Sequence, residues 1–263
     1  MTKPLLRIQP LRSTWLLSDD KNMRINKYLC ECGICSRREA DVMINAGRVF
    51  VNGIPADPGM QVTESDLVTV DSRPVNINKE KTYLAFNKPA GIVCTSDTRE
   101  PDNIIDFIGY GRRITYAGRL DKDSEGLILL TDDGDLINLL MSASERHEKE
   151  YIVSTASDIT DAQIKRMAGG LHLEEIGMDT RPCRVEQSGR REFHITLTQG
   201  INRQIRRMCK AVDLRVVSLK RVRIANIRLG NLKKGKYRKL SSAELSELKK
   251  IIGCRRTIQP KTE

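Results

Sequence analysis

The sequence predicts an α+β protein with a small N-terminal module and a larger second domain. Three observations carry that expectation. At 263 residues the chain is longer than the roughly 100 to 200 residues of a usual single domain. Strand-like and helix-like stretches are mixed along its length. A polar stretch with a proline, Asp71 to Lys81, falls between the two parts.

The elements follow in order. The first 18 residues carry Lys3, Arg7 and Arg12 and no acid, and they lack the continuous apolar core and cleavage site of a secretory signal. Residues 1–22 are therefore read as a flexible basic tail. From Met23 to Ser72 the pattern is a short helix, a second helix and then small strands. Ser36-Arg37-Arg38-Glu39 matches a capping box, in which hydroxyl and carboxylate satisfy free donors at a helix start. Arg37 and Arg38 in that first turn oppose the helix dipole. Phosphate binding would explain them; simple solvation would too. Gly47 to Gly53 alternates as a strand ending at an Asn-Gly turn, and Val68 to Val70 is another short strand.

Residues 73–82 read as a linker, and a second, larger domain is expected over 83–252. Strands are expected at Tyr83 to Phe86, Leu127 to Thr131 and Phe193 to Leu197, and helices near Asp133 to Met141, Thr160 to Met167 and Arg203 to Val212. Ser241-Ser242-Ala243-Glu244 offers a second capping box for a last helix reaching Ile252. Residues 253–263 form a basic tail, and no internal repeat is visible.

Composition narrows the partner. The 45 Lys and Arg against 34 Asp and Glu give +11 and a pI near 9.4, a balance that favours polyanions, nucleic acid first. No apolar run approaches the roughly 20 residues that span a bilayer, so no membrane partner is expected. Seven cysteines are an odd number in a chain too large to need disulfides, which points to reduced thiols and the cytoplasm. Cys30, Cys32 and Cys35 lie close together, but a structural zinc site takes four ligands, usually in two pairs, and no second pair exists. His147, His172 and His194 show no ligand spacing. No metal is expected.

The stretch most informative for chemistry is Gly118-Arg119-Leu120-Asp121-Lys122-Asp123-Ser124-Glu125-Gly126, a charged loop running into the apolar Leu127-Ile128-Leu129-Leu130. Such a loop can hold a carboxylate at a strand entrance. A calcium loop fits the first positions but fails at the fifth, a Glu, and at the twelfth, Asp132 where the template needs a bidentate Glu. Merely solvated acids before a strand are the plainer alternative.

Taken whole, the stretch is similar to the signature of the pseudouridine synthases that modify ribosomal RNA, in the small-subunit-type branch whose members carry an N-terminal S4-like domain. Asn87-Lys88-Pro89-Ala90-Gly91, Lys149-Glu150-Tyr151, Gly200 to Met208, Leu219-Lys220-Arg221-Val222 and Leu229-Gly230-Asn231-Leu232 agree with that family in the expected order. Met23 to Ser72 resembles the S4-like RNA-binding domain through Arg24 to Leu29, Ser36 to Ala40 and Gly47 to Gly53. The resemblance covers residues 23 to 252. It implies a mixed, mainly antiparallel sheet flanked by helices, an isomerase that needs no cofactor, and structured RNA as partner, 23S (large-subunit) ribosomal RNA or a ribosomal assembly intermediate, bound by a monomer. Position by position it implies that Asp121 is the catalytic carboxylate, that Tyr151 lies against the base, that Arg206 pairs with Asp121 and that Leu219 completes an apolar wall.

These roles suit a reaction that breaks a glycosidic bond, turns the uracil and rejoins it through carbon 5. An ionised carboxylate can serve as base or nucleophile, and a guanidinium partner favours its charged form. The target base must leave its stack, and Arg119 is expected to fill the vacated space. From Arg203 to Lys239 there are 14 Lys or Arg and one acid, Asp213, read as an RNA track. Arg203, Arg207, Lys88, Arg37 and Arg38 complete the expected RNA contacts. With 4% aromatic residues, recognition is expected to rest on shape and phosphates more than on stacking. Two alternatives stay open: the same chemistry on small-subunit or transfer RNA, and a non-catalytic ribosome-assembly factor.

Overall fold

A computed structural model describes residues 22–141 and 147–253. Both tails read from the sequence lie outside the described residues, apart from Asn22 and Gly253. The chain divides into two compact units between Ile77 and Asn78.

In the first unit β1 (Met23–Arg24) leads into α1 (Ile25–Glu31), α2 (Arg37–Asn45), β2 (Val49–Val51), β3 (Ile54–Pro55), β4 (Gln61–Val62), β5 (Val68–Val70) and β6 (Arg73–Pro74). The expected capping box forms: Ser36 Oγ accepts from Glu39 N at 3.2 Å and the Glu39 carboxylate accepts from Ser36 N at 2.6 Å. Asn52 and Gly53 take φ of 52° and 82°, the two positive values a two-residue hairpin turn requires, and Val51 pairs with Ile54 across it. The helices and the sheet, in order β3-β2-β5-β6, close over Ile25, Tyr28, Leu29, Ala40, Ile44, Val49 and Val68.

The start of the expected linker belongs to this unit. Asp71 and Ser72 also take positive φ, 48° and 62°, and turn the chain so that Arg73 pairs with Val70. Arg48 holds the Asp71 carboxylate through two hydrogen bonds at 2.8 and 2.5 Å, which fixes a turn that has no glycine to signal it. Val75 N then donates to Val68 O, and Val75 and Ile77 pack on the core.

The second unit runs β7 (Tyr83–Lys88), α3 (Ile104–Ile108), β8 (Thr115–Ala117), β9 (Glu125–Thr131), α4 (Gly134–Met141), β10 (Lys149–Thr155), α5 (Asp161–Gly169), β11 (His172–Leu173), β12 (Met178–Asp179), β13 (Arg184–Gly189), β14 (Glu192–Leu197), α6 (Gln204–Ala211), β15 (Val216–Ile224), β16 (Ile227–Arg228), β17 (Tyr237–Lys239) and α7 (Ser242–Gly253). Its main sheet has the order β13-β14-β10-β15-β9-β7-β17, with β16 on β15 and β8 on β9. Every pair is antiparallel except β9 with β15, which is the mixed, mainly antiparallel sheet that the family resemblance implied.

The apolar run of β9 is explained by burial on both faces. Leu127 and Leu129 join the cluster of Leu136, Leu140, Leu248 and Ile252 from α4 and α7. Ile128 and Leu130 point the other way, into a cluster with Phe86, Ile104 and Leu120. Where β9 meets β15, Gly126 has φ +106°, and a Cβ there would stand 2.3 Å from Arg221 O. Only glycine lets the two strands approach this closely.

Candidate active site

The loop between β8 and β9 presents Asp121 and is anchored on both sides of it. Leu120 is buried, and its N–H donates to Cys94 Sγ at 3.4 Å. Gly91 N–H donates to Lys122 O at 2.7 Å, and Ser124 N–H closes a turn onto Asp121 O at 3.1 Å. Between these fixed points the Asp121 side chain keeps 31% of its surface open.

Arg203 and Arg206 approach the loop from α6. Arg203 Nη1 lies 3.5 Å from Asp121 Oδ2, and its Nη2 lies 3.3 Å from Asp123 Oδ2. Arg206 Nη2 lies 3.1 Å from Asp123 Oδ2 and also donates to Asp123 O and Ser124 Oγ. The pairing expected from the sequence, Arg206 with Asp121, is thus replaced by Arg203 with Asp121. Arg203 sits at the N-cap of α6 in the left-handed region, φ 51°, which aims its side chain at the loop; Arg206, one turn on, meets the loop's main chain beyond Asp121. Burial pushes the Asp123 carboxyl up, but the hydrogen bond from Arg203 and the charges of Arg206 and Arg203 outweigh it and hold it below the ordinary range.

Tyr151 and Leu219 line the sheet beside this loop. Tyr151 stands opposite Ile195 and Arg221 and packs on two core clusters, one containing Leu219 and the other Leu120. Leu219 is buried opposite Val153, so it can supply an apolar wall but no surface contact with RNA. Arg119 is exposed; the nearby carboxylates of Asp121 and Asp123 are occupied by Arg203 and Arg206. Arg207 pairs with Glu175 and donates to Asn202 O, so it is not a free phosphate ligand. Lys88 corrects the sequence reading further: it is fully buried, its Nζ donates to Pro89 O at 2.9 Å, and desolvation lowers its pKa against the pull of Asp123, Asp121 and Glu125. It is a buried charge under the loop, not an RNA contact. Arg37 and Arg38 are exposed on the first turn of α2, in the other unit.

Sequence reading missed Arg221 as a site residue. It is 2% exposed, yet its Nε donates to Leu127 O at 2.7 Å and its Nη1 to Arg119 O at 3.3 Å. One guanidinium therefore pins the chain on both sides of Asp121. Its Nη2 and the Nε of Arg206 are buried without a hydrogen-bond partner among the described residues, and unpaired buried donors of this kind are costly. The signal available in the sequence was an arginine inside the apolar alternation of β15. Among the described residues no group of three His, Cys, Asp or Glu side chains gathers as a metal site.

Two family profiles match the chain: RNA pseudouridylate synthase over residues 82–211 and S4 domain over residues 23–68. The chain is 44% identical over 247 residues to the dual-specificity RNA pseudouridine synthase RluF of Salmonella typhi, covering 93% of this chain and 85% of that protein. It is 46% identical over 193 residues to the protein of the same name from Escherichia coli strain K12, covering 73% of this chain and 66% of that one. Identity to the ribosomal large subunit pseudouridine synthase B of Yersinia pestis is 33% over 204 residues, 73% of this chain and 64% of that protein. The chain thus spans about two thirds of the length of these last two relatives. A crystal structure of a pseudouridylate synthase superimposes with a TM-score of 0.63 at 30% identity, over 86% of this chain and 99% of that one.

Proposed function

The chain belongs to the RNA pseudouridylate synthase family, and on that premise we propose that it isomerises a specific uridine of 23S ribosomal RNA, free or in an assembly intermediate, with Asp121 as the catalytic carboxylate. The observation that carries the residue assignment is the partly open Asp121 side chain, held by Arg203 in a loop fixed on both sides.

In the proposed reaction the target uridine leaves its stack, at a cost of a few kcal/mol, and its uracil rests on Tyr151 with Leu219 behind it. Asp121, paired with Arg203, acts on the ribose or the base as nucleophile or base while the bond from ribose C1′ to N1 breaks. The detached uracil turns, C1′ bonds to C5, the C5 hydrogen leaves as a proton, and N1, freed from the ribose, takes up a proton. Bonds broken and formed balance within one nucleotide, so no oxidant and no energy source is consumed. Arg119 occupies the space the base has left. The protein acts as a monomer in the cytoplasm, where its substrate is.

Incubation with ribosomal RNA tritiated at uracil C5 tests this reading. Wild type is expected to release label into water and Asp121→Asn to release none while still binding RNA. Equal release from both would remove Asp121 from its role.

A further inference from the structure

Four aromatic side chains gather at the β17 edge of the catalytic unit, although aromatic residues make up only 4% of the chain. Tyr237 on β17 stands opposite Phe86 on β7, so the two share a face of the sheet. Phe107 of α3 packs at 6.1 Å on Phe86, and Tyr110 meets Tyr237 edge-on at 5.5 Å. Phe86 is buried, but Phe107 and Tyr237 remain 46% and 44% exposed. An exposed pair of rings in a small cluster is the kind of surface that marks a binding site.

The surroundings indicate which partner. From Arg228 to Lys239 the chain has six Lys or Arg and no acid. Lys234 pairs with Glu125, and Arg238 with Glu244; Lys233, Lys236 and Lys239 are exposed and form no ion pair among the described residues. A cleft of about 510 Å³ lies between Phe107, Gly235 and Lys234 on one side and Pro89, Gly91 and Lys122 on the other, with Asp102 in its lining. Asp102 is matched by Lys122 at 3.0 Å, so the unmatched charge of the region is positive. Lys122 follows Asp121 directly, and its carbonyl holds Gly91. The cleft therefore shares a wall, through Lys122, with the loop that carries Asp121.

We propose that Phe107 and Tyr237, with Lys233, Lys236 and Lys239 around them, form a stacking platform for an unpaired RNA base near the target uridine. The lysines take the phosphates and the rings take the base, the combination by which single-stranded nucleic acid is bound. Double-stranded RNA keeps its bases stacked on each other and gains nothing from the rings. The platform deepens the synthase reading, on which its place beside the reacting nucleotide rests, and revises the expectation that stacking plays little part.

The test uses the full chain, a 12-nucleotide single-stranded RNA carrying one 2-aminopurine, and a blunt duplex of the same length. Tyr237→Thr keeps a strand-compatible side chain at an exposed edge, and Lys236→Glu reverses one charge. Wild type is expected to change 2-aminopurine emission on binding. Tyr237→Thr is expected to lose that change and to bind the single strand about tenfold more weakly, with duplex affinity unaltered, whereas Lys236→Glu weakens both. Unchanged emission and single-strand affinity in both Tyr237→Thr and a Phe107→Ser, Tyr237→Thr double variant would overturn the platform, as would an equal loss on both RNAs. Tritium release from ribosomal RNA, measured on the same variants at saturating RNA, separates the two ideas. Absence of release by wild type fails the synthase reading, and the emission and affinity results decide the platform independently of it.

Discussion

Arg203 combines an awkward backbone with the ion pair to Asp121. A non-glycine residue in the left-handed region costs about 1 kcal/mol or more, and such strain gathers where a side chain has to point in a particular direction. Arg203→Gly is expected to raise the melting temperature of the catalytic unit by about 2 to 4 °C and to cut tritium release at least tenfold; a variant that gained stability and kept full turnover would deny Arg203 its role. Arg221 gives the opposite pattern. Arg221→Met strands the buried carbonyl of Leu127 and frees the part-buried one of Arg119, an expected loss of roughly 2 to 4 kcal/mol in chemical denaturation, and single-turnover isomerisation should fall further than RNA affinity because the Asp121 loop loses its clamp. At this scale the sequence makes the acids and arginines of the loop legible, but not their pairing. Which arginine reaches Asp121 depends on a φ angle at residue 203, and Lys88 reads as a surface cation only because its letter carries no record of burial.

Elements that announce themselves by periodicity or caps are those the sequence reveals. The two-sided apolar run of β9 and the capping boxes of α2 and α7 are of this kind. The central strand β15 is less visible, since Lys220, Arg221 and Arg223 interrupt its apolar residues, and only its place between β9 and β10 buries Arg221 among them. Its junction with β9 makes a sharp prediction: Gly126→Ala places a methyl on the Arg221 backbone, and the protein is expected to be insoluble or destabilised by more than about 3 kcal/mol in thermal and urea unfolding. The start of α7 gives a pH prediction. Glu244 accepts from Arg238 and from Ser241 N–H, and these bonds, the Arg238 bond foremost, bring its pKa from 4.5 down to about 2 against desolvation. A carboxyl depressed in the folded state stabilises fully above its unfolded value and loses that contribution as pH falls through the folded one. Stability should therefore decline between about pH 4.5 and 2, and Glu244→Gln should flatten that limb of the curve measured by circular dichroism.

For the molecule as a whole, on the proposed function, an excess of +11 and a match to the S4 domain ahead of the second unit predict that phosphate neutralisation is the main source of affinity. If about six phosphates are engaged, affinity for ribosomal RNA should fall roughly a thousandfold between 50 and 200 mM salt, and a flat response in filter binding would refute that. Charge balance and fold class were readable from the sequence because they are sums and repeats. The division at Ile77 was displaced because a glycine-free turn at Asp71 and Ser72 returns the chain to the first sheet. The central claim is that Asp121 drives conversion of a specific uridine in large-subunit ribosomal RNA. Its most direct test is a map of pseudouridines in RNA from cells carrying either the wild-type chain or Asp121→Asn as their only copy. Loss of one or a few positions in 23S ribosomal RNA with the variant, all others retained, is the predicted result; identical maps would contradict the account.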